Sequence, residues 1–497
     1  MQGWSFFLCW SPVLLLMVLA VGLRRPALDL SVYGVLFTLG LVVLFFDTPL
    51  GVALLAGLDG VLTTLPLTLV IFGGIMLSSL LMATGSLKRI VEWFAAGVKS
   101  DYHRSLLITL GVGNFVEGAG VIAEPVVAPM LHAAGVAPAG AAALSIVGYS
   151  GLMTLEMAGI IVTVLALITG LPLFELGLAS AWLSIPATLA MAACVPLFLP
   201  RPLPGLRAWL LLLGCGLILG LAALACVAWL AVSISGMAAG LVLILALVLM
   251  GTRRLRLDRE VGRDLAPFLF ILAVLLTLNM VGPLKELTFQ RLSLTVHLIP
   301  VHAVTFRPLF SAYLYLFLAF GLGAWLFGVK GPELRQVLIG GLQKGWRASL
   351  AMSLFGAMGQ IIAFSGYTPG FAQLVQAHNL PWIMAKGLAA YTGSLYPVFV
   401  PFLGWVGTFL TGYGVASLML FGRLQVETAG LLSVSATWLA SGLAVGASLG
   451  SISSPFKIAI AAPMCGALGQ EGAILRLTIP LGVGASLLVG VVLWLVV

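Results

Sequence analysis

Charge is what this sequence has least of. Asp, Glu, Lys and Arg make up 8% of its 497 residues, against about a quarter in an ordinary soluble chain. No polar stretch is long enough to fold into a separate soluble catalytic domain. The five cysteines, Cys9, Cys194, Cys215, Cys226 and Cys465, form no CxxC pair and no metal spacing, so they read as small apolar core residues. The five histidines, His103, His132, His297, His302 and His378, stand at links or segment ends without ligand spacing. Neither a metal nor a cofactor is expected. No GxxxxGK[ST] loop occurs, which argues against direct coupling to ATP. The net charge of +8 does not point to nucleic acid, because the basic residues gather in a few links.

Apolar residues, 61% of the chain, fill the place of charge. Runs close to membrane length fall near 4–23, 30–46, 63–84, 105–132, 138–170, 176–199, 207–232 and 236–250. After a basic link at 251–264 they resume near 265–282, 309–328, 348–364, 382–411, 428–449 and 474–497. The chain is therefore expected to be an all-α polytopic membrane protein of roughly 12 to 15 transmembrane helices, in two halves, 1–250 and 265–497. The first segment has no basic residues before it and Arg24-Arg25 after it. It reads as a retained span with its N-terminus outside. Basic residues from Lys88 to Arg104, at Arg201 and Arg207, from Arg253 to Arg263 and from Lys330 to Arg347 mark cytoplasmic links. The link Tyr367 to Pro381 has no lysine or arginine and is placed outside. The link Pro283 to Pro308 is placed there too. Leu87 to Val98 and Pro332 to Trp346 mix charged and apolar groups at helical spacing, as in-plane surface helices do.

One apolar segment is interrupted. Gly111 to Pro129 carries Asn114, Glu117 and Glu124 among glycines and prolines. A carboxylate in lipid is costly, and broken backbone is tolerated there only around a cavity. Phe115 to Val121 (FVEGAGV) is matched by Phe409 to Val415 (FLTGYGV). The earlier member follows a basic link and the later one a link without basic residues, so the two would run in opposite directions. That is the pattern of inverted repeats in secondary transporters, with repeat cores near 63–199 and 348–497 and one solute site between broken helices at mid-membrane.

From Arg104 to Arg201 the only charges are Glu117, Glu124, Glu156 and Glu175. Glu117, Glu124 and Glu156 are candidates for proton coupling, while Glu175 sits at a segment boundary. A second polar cluster runs Gly450-Ser-Ile-Ser-Ser-Pro-Phe-Lys457. Ser454 before Pro455 reads as an N-cap and first helical position. A helix starting there would aim free N–H groups at an anion, with Lys457 beside them. Lys457 would hold a carboxylate or pair with a buried glutamate, and the two roles are compatible.

Three stretches resemble the bacterial L-lactate permease family: Gly113 to Val126 (GNFVEGAGVIAEPV), Pro401 to Gln425 (PFLGWVGTFLTGYGVASLMLFGRLQ) and Gly450 to Ala461 (GSISSPFKIAIA). Glu117, Gly118, Thr411, Gly412, Ser454 and Pro455 match the family's motifs. Glu124, the run Tyr413 to Leu418, and Phe456-Lys457 depart from them. The resemblance implies uptake of lactate, glycolate or a related carboxylate with protons across a bacterial inner membrane. Substrate contacts are expected from Asn114, Glu117, Gly118, Thr411, Gly412, Tyr413, Ser417, Ser453, Ser454 and Lys457. Its partners would be a small organic anion, a proton and the bilayer. Sodium coupling and a passive anion channel stay open as alternatives, and the oligomeric state stays open.

Overall fold

In the computed structural model the described residues are 2–98, 100–199, 205–250 and 258–497. Lys99, Arg201 and residues 251–257 of the basic link 251–264 lie outside them. Nine of the described helices are long and apolar enough to cross a membrane, or ten if one bent pair counts as a span. Shorter apolar helices, among them Ser11–Gly22 and Ala312–Leu326, account for further expected segments.

The first half contains α1 (Ala27–Phe45), α2 (Leu50–Ala83) and α3 (Ser86–Ala96). After them come α4 (101–118), α5 (Glu124–Ala133), α6 (Pro138–Ser150) and α7 (Ile160–Thr169). It closes with α8 (Leu173–Cys194), α9 (Leu206–Trp229) and α10 (Ser235–Met250). The second half opens with α11 (Arg259–Met280), a strand pair, β1 (Leu294–Ile299) and β2 (His302–Phe306), and then α12 (Ala312–Leu326). α13 (Gly331–Ala363), α14 (Leu380–Thr392), α15 (Tyr396–Thr411) and α16 (Gly414–Leu432) follow. α17 (Ala436–Leu449), α18 (Pro455–Met464) and α19 (Glu471–Val496) complete it.

α2 and α13 pack antiparallel along their length, Gly60 against Gly356 and Phe72 against Gly345. A methyl group on either Gly60 or Gly356 would strike the other's carbonyl oxygen, so only glycine admits this backbone contact. α3 is amphipathic, as its sequence predicts. It buries Leu87, Ile90, Val91 and Phe94 and exposes Lys88 and Glu92. Arg89 ties it to α11 through Asp264, Nε to Oδ2 at 2.6 Å and Nη2 to Oδ1 at 2.8 Å. That hydrogen-bonded pair raises the Arg89 pKa above its ordinary value.

Four expectations change. Pro332 to Trp346 is no separate in-plane helix but the first half of α13, because no proline separates it from the apolar half. The expected span 105–132 is a hairpin instead. α4 turns back into α5 at 119–123, where Gly120 takes φ +85 and Pro125 opens the next helix, and Arg104, Ile108, Val126 and Ala133 line one cavity. The segment near 428–449 resolves into two helices, α16 and α17, divided at Ser433 in the left-handed region. The link Pro283 to Pro308 holds an antiparallel strand pair, Thr295 opposite Thr305 and Val296 opposite Val304. Its run of β-branched residues favours that state. This strand pair and the link after α13 lie at one end of the bundle, since Ile299, Phe371, Phe364 and Val52 share a cluster. We call this end the strand face and the opposite end the α3 face.

Candidate functional site

Two hairpin tips and two helix breaks meet in the interior. α4 and α5 give the first tip, and α15 and α16 give the second. In the second, Gly412 turns the chain at φ +85 and the Ser417 hydroxyl donates to the Gly404 carbonyl at 2.9 Å. The first break separates α6 from α7. There Met157 and Ala158, neither a glycine, take φ of +49 and +54 beside Gly159 at +73. Such strain persists only where the surroundings enforce it. The second break lies at 450–454 between α17 and α18, which bend by 44°. Ser454 caps α18 as expected, its Oγ accepting from the Lys457 N–H at 3.4 Å with Pro455 next.

Lys457 is the centre of the site. Its Nζ donates to Tyr149 Oη at 2.6 Å, and Tyr149 Oη donates to Glu124 Oε1 at 2.5 Å. The direct Lys457–Glu124 separation is 3.7 Å, and Lys457 Nζ lies 4.5 Å from the Tyr149 ring centre. Met153 Sδ, 3.7 Å from Nζ, also accepts from Ser451 Oγ at 2.8 Å. Thr154 and Ser448 join the two broken spans by a 2.6 Å hydroxyl pair. Glu117 and Glu156 lie within electrostatic reach of both Lys457 and Glu124. All four charged side chains are buried, so three carboxyls share one ammonium away from water. Glu117 Oε2 accepts the Ala123 N–H at 3.0 Å. Neither Glu156 oxygen, nor Glu124 Oε2, nor Asn114 Oδ1 has a hydrogen-bond partner among the described residues.

The remaining expected residues form walls. Asn114 donates to the Leu110 and Gly148 carbonyls, at 2.6 and 2.8 Å, and so holds α4 against α6. Gly118 packs on the Gly236–Met237 backbone of α10. Thr411 spends its hydroxyl on the turn, donating to the Gly407 carbonyl at 2.7 Å. The Tyr413 ring lies 4.9 Å from that of Phe456. Ser453 donates to the Thr478 carbonyl at 2.9 Å and accepts from Trp405. Glu117, Glu124, Glu156 and Lys457 are thus brought together, while Ser417 and Ser453 serve helix packing. Tyr149, Met153 and Thr154 complete the centre and were missed. Their only sequence signal is a polar run, Gly148 to Glu156, inside an apolar segment.

A second buried polar group was also missed. His302 Nδ1 lies 2.7 Å from Asp59 Oδ2, and its Nε2 lies 3.0 Å from the Leu167 carbonyl. Gln360 donates to the same Asp59 oxygen at 3.3 Å. Burial, the largest influence on the ring, opposes its charge. The bonds to Asp59 and Leu167 outweigh that and raise the His302 pKa. Among the described residues no group of three His, Cys, Asp or Glu could hold a metal ion.

Two cavities approach the centre from opposite faces. One of about 650 Å³ on the α3 face is lined by Lys88, Arg104 and Pro125, the last adjacent to Glu124. One of about 520 Å³ on the strand face is lined by Ala158, Gly159, Lys285 and Arg307 and reaches the break beside Glu156.

The sequence profile of the L-lactate permease family matches residues 5–253 and 265–497. An L-lactate permease of Streptococcus iniae is 24% identical over 453 residues, 86% of this chain and 92% of that protein. The glycolate permease GlcA of Escherichia coli K12 is 33% identical over 181 residues, 36% of this chain and 30% of its own length. An L-lactate permease from the same organism is 35% identical over 150 residues, 29% of this chain and 27% of its own. This protein is a multi-pass membrane permease rather than an enzyme, and it belongs to the L-lactate permease family.

Proposed function

We propose that this permease carries a small organic anion such as lactate or glycolate across the bacterial inner membrane together with a proton, by alternating access. The observation that carries the proposal is Lys457, enclosed with Tyr149 and Glu124 where the two hairpin tips and two broken spans converge. An unpaired ammonium at that depth is costly. A carboxylate substrate therefore takes Lys457 only as Glu124 gives it up, and Glu124 gives it up when a proton neutralises it. One proton and one anion then enter the site together, and the charge inside is unchanged by loading.

The other groups fit the same exchange. Glu117, at the first tip, and Glu156, at the first break, add carboxyls for which the site holds no second ammonium among the described residues, so neutrality also calls for protons there. The free carboxyl oxygens of Glu156 and Glu124 are acceptors for a substrate hydroxyl. Tyr413 and Phe456, with Thr411 and Ser417 behind them, give the site an apolar wall. The two hairpins and two broken spans, related in order and in opposed direction, support an inverted repeat, and the two cavities are its two exits.

The test is uptake of labelled lactate, glycolate and longer carboxylates into vesicles, with pH and sodium gradients imposed separately. Accumulation driven by the pH gradient alone is the expected result. Accumulation that follows only sodium, or none with any carboxylate, overturns the proposal.

A further inference from the structure

The strand-face cavity has a property that the transport cycle above does not use. Its lining includes two cations, Lys285 and Arg307, and no Asp or Glu. Arg307 is half-buried and fixed in place. Its Nε donates to the Phe289 carbonyl at 3.0 Å, and its guanidinium lies 4.1 Å from the Phe289 ring centre. The other N–H donors of that planar group have no acceptor among the described hydrogen bonds and are free for bidentate contact with a carboxylate. Asn279, Ser233 and Thr305 add neutral polar groups around the same space. A cleft lined by one sign of charge concentrates ions of the other, and its volume is that of a small-molecule site. Ala158 and Gly159, in the strained backbone of the first break, line it two and three residues from Glu156.

Resting on the reading that this permease moves organic anions, we infer that the strand-face cavity is a second anion site, where Arg307 and Lys285 hold the carboxylate before it passes to Lys457. The site would take small carboxylates as a class, because neither cation is placed to read the rest of the molecule. The anionic headgroup of a lipid has the same charge chemistry, and Trp229 and Phe174 on the rim are exposed, so the experiment must tell the two apart.

A Ser311→Cys variant places a thiol in the cavity wall, and all five native cysteines are buried. Labelling by a membrane-impermeant thiosulfonate is followed in phosphatidylcholine vesicles with the strand face outward. Millimolar glycolate should slow labelling severalfold. The protection should survive Lys457→Gln, disappear with Arg307→Gln, and return in part with Arg307→Lys. Protection that is absent, or unchanged by Arg307→Gln, overturns the inference. So does labelling already blocked by added phosphatidylglycerol and not relieved by glycolate, which would make the cavity a lipid site. Glycolate uptake by the unaltered protein is measured alongside. Uptake without protection sinks this site alone, and protection without uptake sinks the transport reading alone.

Discussion

Lys457 and Glu124 stabilise each other only as a pair. Removing one partner of a buried ion pair leaves an unpaired charge, at a cost of about 3–5 kcal/mol, whereas removing both charges is far milder. Lys457→Gln should therefore lower the thermal stability of the purified protein and abolish uptake. Lys457→Gln combined with Glu124→Gln should recover much of the stability but none of the uptake. Thermal unfolding in detergent and vesicle uptake check both parts. A double variant as unstable as the single one would show that the pair has no such mutual role.

His302 makes a pH-dependent statement. Both ring nitrogens face acceptors, Asp59 and the Leu167 carbonyl, so the two bonds need a proton on each nitrogen or one shared with Asp59. The His302 pKa is raised in the folded protein. Its contribution is then fully present below the unfolded pKa and is lost as pH rises through the folded one. Among the described residues Arg423 is the charge besides Asp59 that acts on the ring, and it opposes the proton. Hydrogen exchange of β1 and β2, corrected for the intrinsic rate, should accelerate on raising the pH. In His302→Gln that extra pH dependence should vanish. An unaltered pH profile in His302→Gln would count against the pair.

Elements were legible where the chain announces them locally. Ser454-Pro455 marked the start of α18, and the glycines after Glu117 and Thr411 marked two breaks. What sequence could not show was whether a helix crosses or turns back, and which residues become partners. A half-length helix returning to its own side looks like one long span by hydropathy, so the sequence predicts a crossing where the α4–α5 hairpin lies. Asp59 and His302 stand 243 residues apart with no shared motif, and Tyr149 carries no motif of its own. The Glu124–Lys457 pair was half legible, as two charges unusual for their depth. The second tip gives the element-scale test. A Cβ on Gly412 would face Phe456 Cβ at 2.9 Å, and φ there is +85. Gly412→Ala should cost about 1–3 kcal/mol and reduce uptake. Pairing it with Phe456→Ala should relieve the clash but not the backbone strain, so thermal unfolding should recover only in part.

At the scale of the whole molecule, the proposed transporter and a pore differ in how the two cavities behave. The four charged side chains at the centre are buried, while one cavity comes up to Pro125 beside Glu124 and the other to Ala158 beside Glu156. A channel would join these cavities and keep both faces open together. Alternating access requires that opening one close the other. Met130 lines the α3-face cavity and Thr163 the strand-face cavity, so cysteines placed at the two positions in separate variants report on each. Conditions that favour one state, such as saturating glycolate at low pH on one side, should speed impermeant labelling at one position and slow it at the other. Lys457→Gln, unable to exchange Glu124 for substrate, should show neither change. Labelling that rises or falls at both positions together would describe a common pore, and the coupling of proton to anion at Lys457 would then have no conformational change to drive.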